Sequence, residues 1–440
     1  QFGPDKRWGY FPSGAVAWII TEENFMKDYS NIVSYLKLRG SVGKTGSQNL
    51  GAYDWRTLMG SATYNGAAGI VPSSLGNDIL QWEEQIQKEV GLDYGFWDDR
   101  IRGTLGYYQK KVDNLLYSDP VPTSSSFSSV YQNIGSLKNR GIEFDVRVDI
   151  IKNVQKDLTW NVDFNIARNR TTLEKLNSSD GYFGGGAYDY FKIEEGGETG
   201  RFYGYKDAGR LFMTNEELVG LKTIDPKTGT LKYYRDDYNY ERQGDVYIMD
   251  LDGGGQITAD GDRTVIGNAN PDFFGGFGST LYWKGLMLNA VFSYSVGGDR
   301  FWDEEKNSSG DMNVYNTSNR ILDSWTVNPG VNASYPRAMY YGWGSNSIIT
   351  DRYIHDASYL RMTALNLSYR LPKHLYKNSI LNAVEFTFQA TNLFTWTKYP
   401  GMDPQGNFST TYSAFYNMGI DYSTYPSART YNFGIKLTLK

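Results

Sequence analysis

RGIEFDVRVDIIKNVQKDLTWNVDFNIARNR, residues 140–170, reads as two strands joined by a polar turn. In the first, Ile142, Phe144, Val146, Val148 and Ile150 share one face, and Glu143, Asp145, Arg147 and Asp149 share the other. In the second, Leu158, Trp160, Val162, Phe164 and Ile166 lie opposite Asn161, Asp163 and Asn165. Side chains alternate with period two along a strand, so each strand has one apolar and one polar face. Full charges on one face and bulky aromatics on the other suit a barrel wall, with lipid outside and water or a polar plug inside. A half-buried antiparallel sheet of a soluble protein alternates in the same way. The rest of the chain has to separate the two.

Similar runs recur along the 440 residues. They fall at 15–20, 35–42, 85–94, 101–116, 275–283, 286–296, 359–371, 383–393 and 430–439, which with the opening hairpin predicts about eleven strands. In the last, Tyr431, Phe433, Ile435, Leu437 and Leu439 alternate with Asn432, Gly434, Lys436 and Thr438. Residues 22–28 and 215–219 are expected to form single helical turns; no gap has a long amphipathic helix pattern. The links alternate in length. Short ones fall at 21–34, 96–100, 151–157, 284–285 and 372–382. Long ones, rich in Gly, Ser, Asn and Tyr, fall at 45–80, 118–137, 177–271, 297–351 and 399–426. Outer-membrane barrels have short periplasmic turns and long extracellular loops. A soluble sandwich has no reason to sort its links this way, so the pattern favours a transmembrane antiparallel β-barrel. The long links are expected to be solvent-facing recognition surfaces, and the carboxy-terminus to lie on the short-link, periplasmic side.

Composition agrees. Aromatic residues make up 16% of the chain, with 36 Tyr, 22 Phe and 11 Trp. No apolar run approaches the roughly 18 residues of a helical span, which leaves a barrel open because lumen-facing residues dilute its hydropathy. Net charge is −5, from 44 basic and 49 acidic residues, and gives no support to nucleic-acid binding. There is no cysteine, hence neither a disulfide framework nor a thiolate metal site. The chain opens on Gln1-Phe2-Gly3-Pro4 without a leader, as expected of a mature product or an internal fragment.

Six stretches, in order from end to end, resemble the SusC-like (SusC/RagA) family of TonB-dependent outer-membrane transporters of the Bacteroidetes. They are WGYFPSG at 8–14, LKLRGSVGKTG at 36–46, IGSLKNRGIE at 134–143, DRTVIG at 262–267, ASYLR at 357–361 and TNLF at 391–394. The resemblance implies that residues 1–440 are the carboxy-terminal part of a 22-stranded plugged barrel, whose plug, TonB box and amino-terminal strands are not in this chain. Half a barrel would leave two open edges, which lipid does not tolerate. One departure is the Leu439-Lys440 ending, where the family often has an aromatic residue. The resemblance further implies active import of oligosaccharides or peptides. A SusD-like surface lipoprotein would act as lid, and TonB–ExbB–ExbD would act through the plug.

The loops hold the candidate sites. Residues 250–262, DLDGGGQITADGD, resemble a calcium loop of the EF-hand or dockerin kind. Asp250, Asp252, Gly255 and Gln256 stand at its first, third, sixth and seventh positions. Gly254 and Gly261 replace two expected ligands, leaving Asp260 or Asp262 to substitute; the bland alternative is an Asp- and Gly-rich turn. Trp302, Tyr340, Tyr341, Trp343, Tyr412, Phe415 and Tyr416 are candidates to stack on substrate or to touch a lid protein, against the alternative of an interfacial aromatic girdle. No catalytic residues are expected. His355 and His374 do not form a helical metal motif, with His355 expected in the wall, and no phosphate loop or nucleophile elbow appears. Adjacent pairs such as Glu83-Glu84, Asp98-Asp99, Glu194-Glu195 and Glu304-Glu305 diverge in extended chain and make no glycosidase pair. The runner-up to the importer is a secreted soluble β-protein that binds or hydrolyses glycans, separable by its lack of a detergent requirement. A passive porin would differ in having no plug.

Overall fold

A computed structural model of the chain describes residues 2–176, 182–183, 190–214, 217, 223–224, 231–232, 242–310, 316–338, 346, 348–377, 380–406, 418–422 and 424–439. Eleven strands form one antiparallel sheet in chain order: β1 (Ser13–Ile19), β2 (Val33–Ser47), β3 (Glu83–Phe96), β4 (Ile101–Asp113), β5 (Ser136–Asn153), β6 (Leu158–Lys175), β7 (Phe273–Trp283), β8 (Leu286–Val296), β9 (Tyr359–Arg370), β10 (Leu381–Thr397) and β11 (Thr430–Leu439). Each strand pairs with the one before it, and the sheet is open at β1 and β11. No helix among the described residues is long and apolar enough to cross a membrane.

The register makes the alternation continuous. A polar rung runs across six strands as Asn161, Thr280, Asn289, Asn366, Gln389 and Asn432, each opposite the next. Asn289 donates to Thr280 (2.9 Å) and Asn366 donates to Asn289 (2.9 Å). On the other face, Val146, Phe164, Phe277, Phe292, Met362 and Phe394 form an apolar rung. Phe277 stacks on Phe292 with ring centroids 4.6 Å apart. Because the period is two, one residue of slip would exchange these rungs on a strand, so the faces themselves specify register.

Two glycines on the apolar face are covered by the tyrosines opposite them. Tyr94 faces Gly103 and Tyr294 faces Gly275, and their hydroxyls donate to the carbonyls of Asp145 and Asn165, both at 2.9 Å. A Cβ at Gly103 would sit 2.7 Å from the Tyr94 hydroxyl. This is aromatic rescue of a strand glycine, the ring restoring the surface that glycine lacks.

Departures from expectation have local causes. The strand expected over 101–116 stops at Asp113, because Asn114 takes a left-handed φ of 57°; Leu116–Pro120 then pairs with Ser129–Asn133 as a separate hairpin. The turn expected at 22–28 is present as two 3-10 turns, Ile20–Glu22 and Asn24–Tyr29. The one expected at 215–219 lies almost wholly outside the described residues. The larger departure is in the long links, expected to be solvent-facing. Three of them, between β6 and β7, β8 and β9, and β10 and β11, hold the main buried core. Tyr190, Phe191, Phe202 and Ala269 from the first pack with Phe301 and Tyr353 from the second and Ile420 from the third. A second cluster joins Tyr205, Leu211, Phe212, Val246, Ile248 and Ile257 to Trp325 and Ile348. A small sheet ties the links together: Asp299–Trp302 pairs with Ile354–Asp356 on one side and Ile420–Asp421 on the other. The result is a folded platform on one rim of the wall.

Candidate functional site

The site has two parts, the polar face of the wall and the platform above it. On the polar face of β2–β5 three cations are met by acids. Arg39 bonds Glu89 closely and Asp93 at 3.1 Å, Lys37 lies 3.4 Å from Asp93, and Arg102 lies 3.3 Å from Asp149. Gly91 makes room for Arg39, since a Cβ there would fall 2.6 Å from the guanidinium carbon. Beside it an open groove of about 300 Å³ is lined by Arg39, Glu89, Thr104, Tyr108, Lys110 and Glu143. Such a surface offers hydrogen bonds and charges of both signs to whatever fills the interior.

Arg361, on the polar face near the upper end of β9, holds the wall to the platform. It donates to Asp403 at 2.5 Å, to Gln405 at 2.6 Å and to Thr395 at 3.0 Å, and both it and Asp403 are buried. Burial alone would push the Asp403 carboxyl up; Arg361 and the N–H groups of Gln405 and Ser427 outweigh it and hold the group below the usual carboxylate range. Elsewhere in the platform burial wins. It raises Asp245 despite Arg337 2.6 Å away, and it raises Asp299 despite the N–H of Asn268.

Trp302 is placed inside the platform, 8% exposed, rather than presented at its surface. The Arg320 guanidinium lies over its ring at 4.4 Å, and the rings of His355 and Tyr399 approach at 5.9 and 6.1 Å. Glu305 organises this cage: it takes hydrogen bonds from Arg320 (2.8 Å) and Tyr335 (3.3 Å) and meets His355 Nε2 at 2.6 Å. Tyr399 donates to Asp421 at 2.8 Å, and burial together with that carboxylate pushes the phenol far above its ordinary value. His355 is therefore a platform residue, half-buried on Ile354–Asp356, and not a wall residue as expected. Tyr340, Tyr341, Trp343, Tyr412, Phe415 and Tyr416 lie outside the described residues.

The acidic loop brings three of its aspartates together. Carboxylate oxygens of Asp250, Asp252 and Asp262 lie within 4.8 Å of one another. Asp250 accepts the N–H groups of Gly253 and Gly255, Asp252 that of Gly254, and Asp262 those of Leu251 and Thr258. A carboxylate has about four lone-pair directions, so each retains some for a cation. Asp260 is exposed and outside the carboxylate group, and Gln256 is half-buried. The donor set thus fits a hard cation with three acids, of which Asp262 closes the loop.

Sequence reasoning missed Glu305, Arg320, Asp403 and the role of Arg361. Glu304-Glu305 was legible only as an adjacent pair, and the helical turn Asp303–Glu305 is what sends Glu305 inward. The remaining three carry no local signal, because their partners lie far away in sequence.

Comparison with known proteins places this architecture. Residues 1–337 match the family described as TonB dependent receptor-like, beta-barrel. The chain is 33% identical to TonB-dependent receptor P3 of Formosa agariphila, over 99% of this chain and 42% of that protein. It is 31% identical to TonB-dependent receptor SusC of Bacteroides thetaiotaomicron, over 99% of this chain and 41% of that one. Among solved structures, a chain of the RagAB peptide importer in its closed-closed state superposes with a TM-score of 0.76 at 26% identity, covering 99% of this chain and 44% of that one. The chain thus spans about two-fifths of the length of the curated relatives it matches. An eleven-stranded open sheet with a loop platform on one rim, matched in sequence and in shape, belongs to the TonB-dependent receptor β-barrel family.

Proposed function

We propose that this chain supplies wall and external loops to an active importer of oligosaccharides or peptides, working as the SusC-like half of a SusCD-type complex energised through TonB–ExbB–ExbD. The observation that carries the reading is the unbroken polar face. Its rungs of Asn, Thr and Gln and its paired charges are suited to a plug and a hydrated substrate, while the apolar face, with Val146 and Phe164, faces lipid. Import needs gating, not catalysis. In this orientation the short links and the carboxy-terminus are periplasmic and the platform is external. A SusD-like lipoprotein fits as lid for a second reason. The hairpin Met59–Tyr64 with Ala67–Pro72 projects from the β2–β3 link with Met59, Tyr64, Ile70 and Val71 exposed, a protruding apolar edge that suits a protein partner. The decisive experiment is uptake of fluorescent oligosaccharides and peptides by cells carrying the full-length protein, with and without TonB. Loss of uptake without TonB is expected; uptake that persists would mean a passive pore.

The acidic loop, on this reading, takes one external Ca²⁺ at Asp250, Asp252 and Asp262, with Gln256 offering a backbone carbonyl. Isothermal titration of the full-length protein with calcium should give one site that Asp252→Asn weakens. No heat at millimolar calcium would leave a plain turn.

A further inference from the structure

The outward face of β2–β6 changes character along its length. Its middle is apolar, with Leu38, Val90, Leu105, Tyr107 and Ile142 all at least 40% exposed. Toward the rim that bears the platform the same face turns charged. Lys44 is met there by Glu84 at 2.6 Å; Lys111 and Lys138 are met by Asp113 and Glu174 at 3.0 and 3.1 Å. Arg170 turns to Asp272 at 3.1 Å and Glu198 at 3.5 Å. Three cations remain, Lys88, Arg140 and Arg168, all exposed and, among the described residues, without an ion pair.

Their placement is not scattered. Lys88 stands opposite Gln109, and Gln109 opposite Arg140. Arg140 stands opposite Arg170, and its neighbour on the same face, Ile142, stands opposite Arg168. With strands about 4.8 Å apart, Lys88 and Arg140 are separated by about 10 Å, with Arg168 diagonal to Arg140 on the adjacent strand. Like charges at such spacing repel unless an anion lies between them. On the polar face of the same strands Lys37, Arg39 and Arg102 have carboxylates. The outward trio begins where the apolar band ends, and that is the level of lipid headgroups.

We propose that Lys88, Arg140 and Arg168 bind the phosphate groups of an anionic lipid in the leaflet on the platform side. The proposal rests on the barrel reading of the apolar face. The two guanidiniums grip phosphate oxygens in forked pairs and Lys88 adds a point charge. Lipid is chosen over a soluble anion because the site is continuous with the lipid-facing band, so acyl chains lie on Val90, Tyr107 and Ile142 while the headgroup meets the cations.

The test uses the full-length protein, delipidated in neutral detergent, with phosphorylated lipid A and its dephosphorylated form as probes and native mass spectrometry as readout. Wild type should retain the phosphorylated form in preference. Each of Lys88→Gln, Arg140→Gln and Arg168→Gln should weaken retention about fivefold, and the triple variant about a hundredfold. Lys44→Gln, which removes a cation already paired, should change it little. Heat-modifiable migration of the variants reports that the barrel is intact. Equal retention of the two lipids by wild type, or unchanged retention by the triple variant, would overturn the proposal. Full competition by millimolar inorganic phosphate would reassign the trio to a free anion. If the barrel reading itself were wrong, wild type would stay monodisperse without detergent, a result separable from the lipid outcomes.

Discussion

The wall and the platform are stabilised in opposite ways. In the wall, neighbouring strands are neighbours in sequence, and large apolar side chains such as Phe164, Phe277 and Phe394 sit on its surface. In the platform, contacts join residues far apart in the chain, and Phe202, Phe301 and Tyr353 are almost completely buried. The wall is a membrane structure whose stabilising surround is lipid. The platform is a water-soluble core assembled from loops. A fold of this kind therefore contains two solvents' worth of rules, and each region tolerates what the other does not.

The largest expected effect separates the two. Phe301→Ala removes a ring from the platform core and should cost about 3–5 kcal/mol there. Hydrogen exchange should speed in 201–205, 299–302 and 354–356 while the wall strands stay protected. If β5–β8 lose protection together with them, the regions form one cooperative unit and the comparison fails. Next, Val146→Arg or Phe164→Arg in the wall should cost about 2–4 kcal/mol near mid-membrane, measured by reversible unfolding in micelles. Cysteine scanning sharpens this: a thiol at 146 should be protected from aqueous reagents, and one at 145 should be labelled from the lumen. Strong labelling at 146 and none at 145 would invert the faces.

Acid titration should distinguish carboxylates within the platform. The Asp403 carboxyl is held low, so its contribution is present above the ordinary carboxylate range and is lost as pH falls below it through the folded-state value. Asp299 is held high by burial, so its charged form is unfavourable at neutral pH and protonation relieves it as pH falls. Asp403→Asn should therefore destabilise the junction by about 1.5–3 kcal/mol at pH 7, with the difference from wild type shrinking in acid. Asp299→Asn should be neutral or stabilising, because the amide oxygen still accepts the Asn268 N–H. The smallest effect is expected for Tyr94→Phe and Tyr294→Phe, about 0.5–1.5 kcal/mol each. These remove one hydroxyl from the wall while the ring continues to cover its glycine.

What could be read in the sequence follows from this division. Period-two alternation at 142–150 and 158–166 specified strands, faces and hairpin, and the sorting of link lengths specified a barrel, because both signals are local. The platform has no such signature. Phe202, Phe301 and Ile420 show no periodic pattern, and nothing local in the sequence pairs Arg361 with Asp403 or Glu305 with Arg320 and His355. Trp302 was legible as an aromatic in a long link but not as the buried centre of a cage, since the burial is created by Tyr399 and His355 from elsewhere in the chain. The acidic loop was legible as a loop because its carboxylates are contiguous; the fold groups Asp262, not Asp260, with Asp250 and Asp252.

The ladder that begins the platform bears on how the wall is assembled. Residues 197–199 lie back against the end of β6: Thr199 donates to the carbonyl of Thr171 and Leu173 to that of Gly197. Arg201–Tyr205 then zips against Arg263–Asn268, directly before β7. Closing a long link carries an entropy cost that grows only logarithmically, about 0.6 kcal/mol per doubling, and this zipper removes much of even that. The effective separation of β6 and β7 is set by the few residues at its root, not by the whole excursion. Insertion of the sheet can then advance as a series of near-local steps, low in contact order, with the platform carried along as a cargo that does not slow the next hairpin.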